Sequence, residues 1–191
     1  MNRRLMLPLG ALACAVVGGT VFNRLAPTRA VDAPTPPASA IYAQLSSEVS
    51  QDPKEGKPLI VEMQSNDALA GLEHSDKTNT GVLTVKTPGA YFVVAAVQVG
   101  KDAPGTPGDY LDVWIKQNGK DVDNSGCRQV IHDPKFTTVM VCQGVAECKA
   151  GDTFNVAISA SSPDKGIGIK VIKPAGEPVI PSIIFSMYKI N

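Results

Sequence analysis

A chain of 191 residues holds one domain plus appendages and is long enough to bury a core without disulfide or metal staples. Its 18 basic and 18 acidic side chains cancel, which excludes the electrostatic footprint of a nucleic-acid or anionic-lipid binder. With 17 Gly, 15 Pro and no long stretch at the three-four apolar spacing of an amphipathic helix, the composition favours short strands and many turns.

The first 30 residues read as a targeting segment. Arg3 and Arg4 precede an apolar run from Leu5 to Phe22, and Thr28 and Ala30 put small residues where a signal peptidase cuts, so the mature chain is predicted to begin at Val31. The rival reading is an uncleaved signal anchor, because the run just reaches the ~18 residues that span a bilayer; membrane attachment is expected only in that case. Both readings make the protein secreted or otherwise extracytoplasmic, at a cell surface or in a periplasm. Residues 31–56 follow as a linker and N-terminal segment. Val31 to Ala40, rich in Pro, Ala and Ser, reads as extended linker, and Ile41 to Ser50 fits a short helix or an extra strand equally well. The sequence contains no Gly-X-Y repeat.

Residues 57–191 read as the folded domain. Strands are predicted over Leu59 to Met63, Val82 to Lys86, Ala90 to Val99, Leu111 to Gln117, Cys127 to Ile131, Thr137 to Glu147, Thr153 to Ser161 and Ile183 to Lys189. Pro88-Gly89, Asn118-Gly119 and Gly151-Asp152 punctuate them. Asn118-Gly119 is a strong hairpin signal, because the mirror-image turn needs positive φ at both central residues. About eight strands so spaced predict an all-β, two-sheet antiparallel jelly-roll sandwich.

The strands are of two kinds. Leu111, Val113 and Ile115 alternate with Asp112 and Lys116, and Phe154, Val156 and Ile158 alternate with Thr153, Asn155 and Ser159, giving one wet face. Tyr91 to Val97, Val139 to Val141 and Ile183 to Phe185 are apolar on both faces, and no amphipathic helix is available to cover the second. A neighbouring subunit is the expected cover.

Gly89, Tyr91 and Val93, the hairpin Trp114 to Lys120, the turn Gly151-Asp152 and the closing Phe185 to Ile190 fall in one order. That order resembles the globular head of the complement C1q and tumour necrosis factor superfamily over roughly Lys57 to Ile190, with a second aromatic replaced by Val93 and a closing glycine by Met187. The resemblance implies a homotrimeric, non-enzymatic module that binds a protein or glycan through loops. Tyr91, Val94, Met140 and Phe185 become candidate trimer-interface residues. Ile167, Ile169 and Val171, in the Gly/Pro-rich stretch Asp164 to Pro181, are the candidate ligand loop. Some such heads carry calcium, and Asp102, Asp109 and Asp112 lie near a Gly/Pro-rich loop, but their spacing fits no calcium-loop pattern and no cofactor is expected. Trp114 is expected in the core or an interface. A carbohydrate-binding or carbohydrate-active jelly roll is the alternative. It is weakened by there being only 1 Trp, 4 Tyr and 5 Phe and by the lack of a recognisable carboxylate pair.

Catalytic patterns are sparse. The two histidines, His74 and His132, form no metalloprotease motif, and His132 beside Asp133 reads as solvated loop. Of the cysteines, Cys14 leaves with the leader. Cys142 and Cys148 share strand parity about 20 Å apart and cannot bond. Because exported proteins oxidise accessible pairs and Cys148 falls at a core-facing position, Cys127–Cys142 is the candidate disulfide and Cys148 the buried free thiol.

Overall fold

The computed structural model describes residues 40–54 and 57–190; the leader and most of the linker lie outside the described residues. In chain order the strands are β1 (Tyr42–Ser47), β2 (Leu59–Ile60), β3 (Ser65–Ala70), β4 (Leu72–His74), β5 (Leu83–Val85), β6 (Gly89–Gly100), β7 (Tyr110–Gln117), β8 (Lys120–Asp121), β9 (Cys127–Val130), β10 (Thr138–Cys148), β11 (Thr153–Ala160), β12 (Gly168–Ile169) and β13 (Ile183–Lys189). They form two antiparallel sheets. Sheet A runs β10-β6-β13-β1-β3 with β12 on the end of β6, and sheet B runs β4-β5-β11-β7-β8 with β2 on β11 and β9 on β7.

Strand parity builds the core between them. From sheet A, Tyr91, Val93, Ala95, Val97 and Val99 of β6 join Ile183, Phe185 and Met187 of β13 and Ala43 and Leu45 of β1; from sheet B, Leu111, Val113 and Ile115 of β7 meet Phe154, Val156 and Ile158 of β11. All are buried, and each fully buried side chain of this size contributes roughly 1.5–3 kcal/mol relative to exposure. Tyr91 is accommodated because its hydroxyl donates to the Thr87 carbonyl at 2.7 Å.

The Asn-Gly hairpin forms as the sequence predicts. Asn118 (φ 53°) and Gly119 (φ 74°) both take positive φ, and Gln117 pairs with Lys120 across the turn. Its tip is tied to the turn before β11. The Asp152 carboxylate accepts from the Lys149 N–H at 2.8 Å, the Gln117 amide at 3.0 Å and the Asn118 amide at 2.9 Å. These bonds hold its carboxyl below the usual range, the Lys149 N–H contributing most.

Two points add to the sequence reading. Ile41 to Ser50, open there between a short helix and an extra strand, supplies the strand: β1 lies inside sheet A between β13 and β3. The sandwich therefore draws in residues before Lys57. The stretch expected as an exposed ligand loop is also partly core, because Ile169 pairs with Val99 at the end of β6 and Ile167 and Ile169 are fully buried. Gly168 makes that approach possible. A Cβ there would collide with the Gln51 carbonyl and the Asp52 side chain.

Candidate functional site

The outer face of sheet A is the most unusual surface among the described residues. Register sets side chains from adjacent strands side by side in rows. One row runs Val145, Phe92, Tyr188 and Tyr42, and another runs Val141, Ala96, Ile184 and Ser46; between them lie Gln143, Val94, Ser186 and Gln44. Val139 (59 %), Val141 (47 %), Val145 (61 %), Ile184 (40 %) and Tyr188 (48 %) are exposed, so this face is apolar yet open to water. The Phe92 and Tyr188 rings pack at 5.4 Å with a 48° tilt, which makes part of the face rigid.

Of the residues expected at a subunit interface, only Val94 stands on this face, half-buried. Tyr91, Met140 and Phe185 have the opposite parity and are buried in the sandwich. The outward neighbours Val139, Val141, Val145, Phe92, Ile184 and Tyr188 form the face instead. In the candidate ligand loop, Ile167 and Ile169 are core and Val171 is half-buried; the exposed part lies further on, over 173–178, where Ile172 and Ile180 bridge its base.

Sheet B presents a different outer face. Trp114 belongs to it and not to the core, its indole N–H donating to Asp121 at 2.7 Å. Lys116 pairs with the same carboxylate, and these bonds hold Asp121 below the usual carboxyl range, Lys116 first and Trp114 second. Arg128 makes a two-pronged contact with Asp112, at 2.7 and 2.8 Å, and lies 3.6 Å over the Tyr110 ring. An open groove of about 520 Å³ runs past Asp112, Trp114, Asp121, Asp123 and Arg128. Period-2 alternation gave the wet face away in the sequence; the Arg128 contact depends on β9 pairing with β7, which no local pattern reveals.

The three aspartates considered for calcium are kept apart by cations. Asp102 pairs with Lys170 at 3.0 Å, Asp112 with Arg128, and buried Asp109 lies 3.6 Å from buried Lys101 while accepting from Ser162 at 2.7 Å. Among the described residues no three His, Cys, Asp or Glu side chains gather as a metal set. His74 is buried, its Nε2 donating to the Thr80 carbonyl at 2.9 Å, and His132 is exposed in a loop. No helix among the described residues is long and apolar enough to cross a membrane.

The solved globular domain of zebrafish complement 1qA protein superposes on this sandwich with a TM-score of 0.54, covering 79 % of this chain and 98 % of that one at 15 % identity. The fold is that of the complement C1q globular head. No family model and no curated protein matches the chain. Asn118-Gly119, Gly151-Asp152 and the closing strand β13 lie at the points where the sequence resemblance placed them.

Proposed function

We propose that the chain is an exported, non-catalytic binding module that works as a homotrimer, each subunit burying the outer face of sheet A against its neighbours. The observation that supports this reading is the pair of apolar rows on that face. Neighbouring exposed Val, Ile and Tyr side chains on the second side of a sheet are the kind of surface that marks an interaction site, and cyclic symmetry covers it without exposing a new edge. Ligand recognition then falls to what stays outside, namely the exposed loop over 173–178 and the groove on sheet B. With Trp114 and the hydrogen-bonding groups of Asp112, Asp121, Asn124 and Arg128 along that groove, a protein or glycan ligand suits it chemically. The carbohydrate-binding reading is thereby kept as a matter of ligand; a carbohydrate-active enzyme is not proposed.

The test is the mass in solution of the chain from Val31 onward, measured by light scattering at micromolar concentration. Three times the chain mass is expected. A stable, soluble monomer would remove the reading's main support. Intact mass of the exported protein reports separately on the leader: a start at Val31 supports cleavage, and retention of Arg3 and Arg4 in a membrane fraction means an anchor.

A further inference from the structure

Two thiols from opposite sheets cross at the open edge of the sandwich. Cys127 opens β9 in sheet B, where its register partner is Val113 of β7. Cys142 occupies an inward position near the middle of β10, the edge strand of sheet A. Each thiol hydrogen-bonds to the backbone of the other sheet. Cys127 Sγ lies 3.4 Å from the Val141 carbonyl of sheet A, and Cys142 Sγ lies 3.3 Å from the Val113 carbonyl of sheet B. The two contacts interlock, since Val141 precedes Cys142 in β10 and Val113 is the register partner of Cys127. They are reduced in this structure.

We propose that Cys127 and Cys142 are a thiol pair built to form a reversible disulfide that staples sheet B to the edge strand of sheet A, by exchange with a small-molecule or protein disulfide entering at Cys127. Accessibility fixes the order of attack. Cys127 is half-buried and lines the open groove on sheet B, whereas Cys142 is fully buried. Burial first, and the neighbouring Cys127 second, push the Cys142 thiol up to about 12, which makes it a poor first nucleophile. In the first step the Cys127 thiolate attacks the oxidant's disulfide, one oxidant thiol leaves and a mixed disulfide forms. Cys142 then gives up its proton, its sulfur attacks Cys127 Sγ, and the second oxidant thiol leaves. Two protein thiols become one disulfide and one external disulfide becomes two thiols, so electrons and protons balance.

Cys148 is an internal control. It is buried, its thiol is pushed up to about 11 chiefly by burial, and it lies six positions along β10 from Cys142 on the same side, about 20 Å away. It belongs to neither step.

The full chain is treated with oxidised glutathione, alkylated under denaturing conditions and mapped by peptide mass, with Cys14 followed on its own peptide. The expected result is loss of two hydrogens, a Cys127–Cys142 linked peptide, an alkylated Cys148 and a melting temperature raised by about 5–10 °C, reversed by dithiothreitol. Cys142→Ala should stop at a single glutathione adduct on Cys127, and Cys127→Ser should take up no glutathione. Four alkylated thiols after oxidation, a bond that includes Cys148, or a cross-link between chains would each overturn the proposal.

Discussion

The two outer faces of the sandwich have opposite chemistry. On sheet B the charges along β7 are partnered within the face: Lys116 with Asp121, Asp121 with Trp114, and Asp112 with Arg128, which also lies over the Tyr110 ring. On sheet A two rows are mostly Val, Phe, Ala, Ile and Tyr, with Gln143, Ser186 and Gln44 flanking Val94 between them and Ser46, Gln98 and Glu147 towards the margins. A self-satisfied polar face tolerates water and substitution. An unsatisfied apolar face needs a partner.

The largest expected effect follows from inverting one face at a time. Val94→Asp puts a carboxylate between the two apolar rows and, if that face is buried between subunits, leaves an unpaired charge in each. Complete loss of the assembly, or of folding, is expected by light scattering. Lys116→Asp on sheet B should leave both intact. Equal behaviour of the two variants would erase the distinction between the faces.

The next effect concerns the tip of sheet B. Asp152→Ala removes the acceptor for three hydrogen bonds, one within the turn before β11 and two that tie the Asn118-Gly119 hairpin to it, and should cost about 1–2 kcal/mol in urea unfolding. The same carboxyl gives this contact a pH dependence. Its folded value lies below its unfolded one, so the contribution is present above the ordinary carboxyl range near pH ~4 and is lost as pH falls through the folded value. Acid titration of wild type against Asp152→Ala should show the two stabilities converging.

A smaller effect, of opposite sign, is expected on sheet A. Gly144 sits at an inward position of β10, and a slot of about 170 Å³ beside it reaches Val93, Ile115 and Phe154. A Cβ added there meets no atom within 4 Å and the backbone needs no positive φ. Gly144→Ala should raise stability by about 0.5–1 kcal/mol in the same unfolding assay. Smallest of all, Arg128→Gln should leave the urea midpoint close to that of wild type, because its pair with Asp112 is open to solvent.

Much of the fold was legible because β-branched runs and turn dipeptides are local signals. Val82 to Lys86, Ala90 to Val99, Leu111 to Gln117 and Thr153 to Ser161 all correspond to strands. Strand β3, with the sequence SNDALA, has neither β-branched nor aromatic residues, and only its partner β1 makes it a strand. The site was harder. In Tyr91 to Val97 both parities are apolar, so nothing local says which one meets the second sheet. The large residues Tyr91 and Phe185 suit an interface by size, yet they fill the core, while the smaller Val139, Val141 and Val145 face outward. Ile167 and Ile169 look like loop residues beside Gly166 and Gly168, and become core only through pairing with the far end of β6.

The placement of β1 beside β13 also sets how the domain bears load. The two strands run antiparallel, Tyr42 opposite Tyr188, and the Lys189 N–H donates to the Ile41 carbonyl at 3.0 Å, so the chain enters and leaves the sandwich at the same end. Tension applied between residues 41 and 190 therefore pulls across the ladder and opens its hydrogen bonds one after another, like a zip. Tension applied to residue 41 and resisted at the far end of β13 would load the whole ladder in shear. A head held by its N-terminal segment resists force best when its ligand sits at the pole away from that segment.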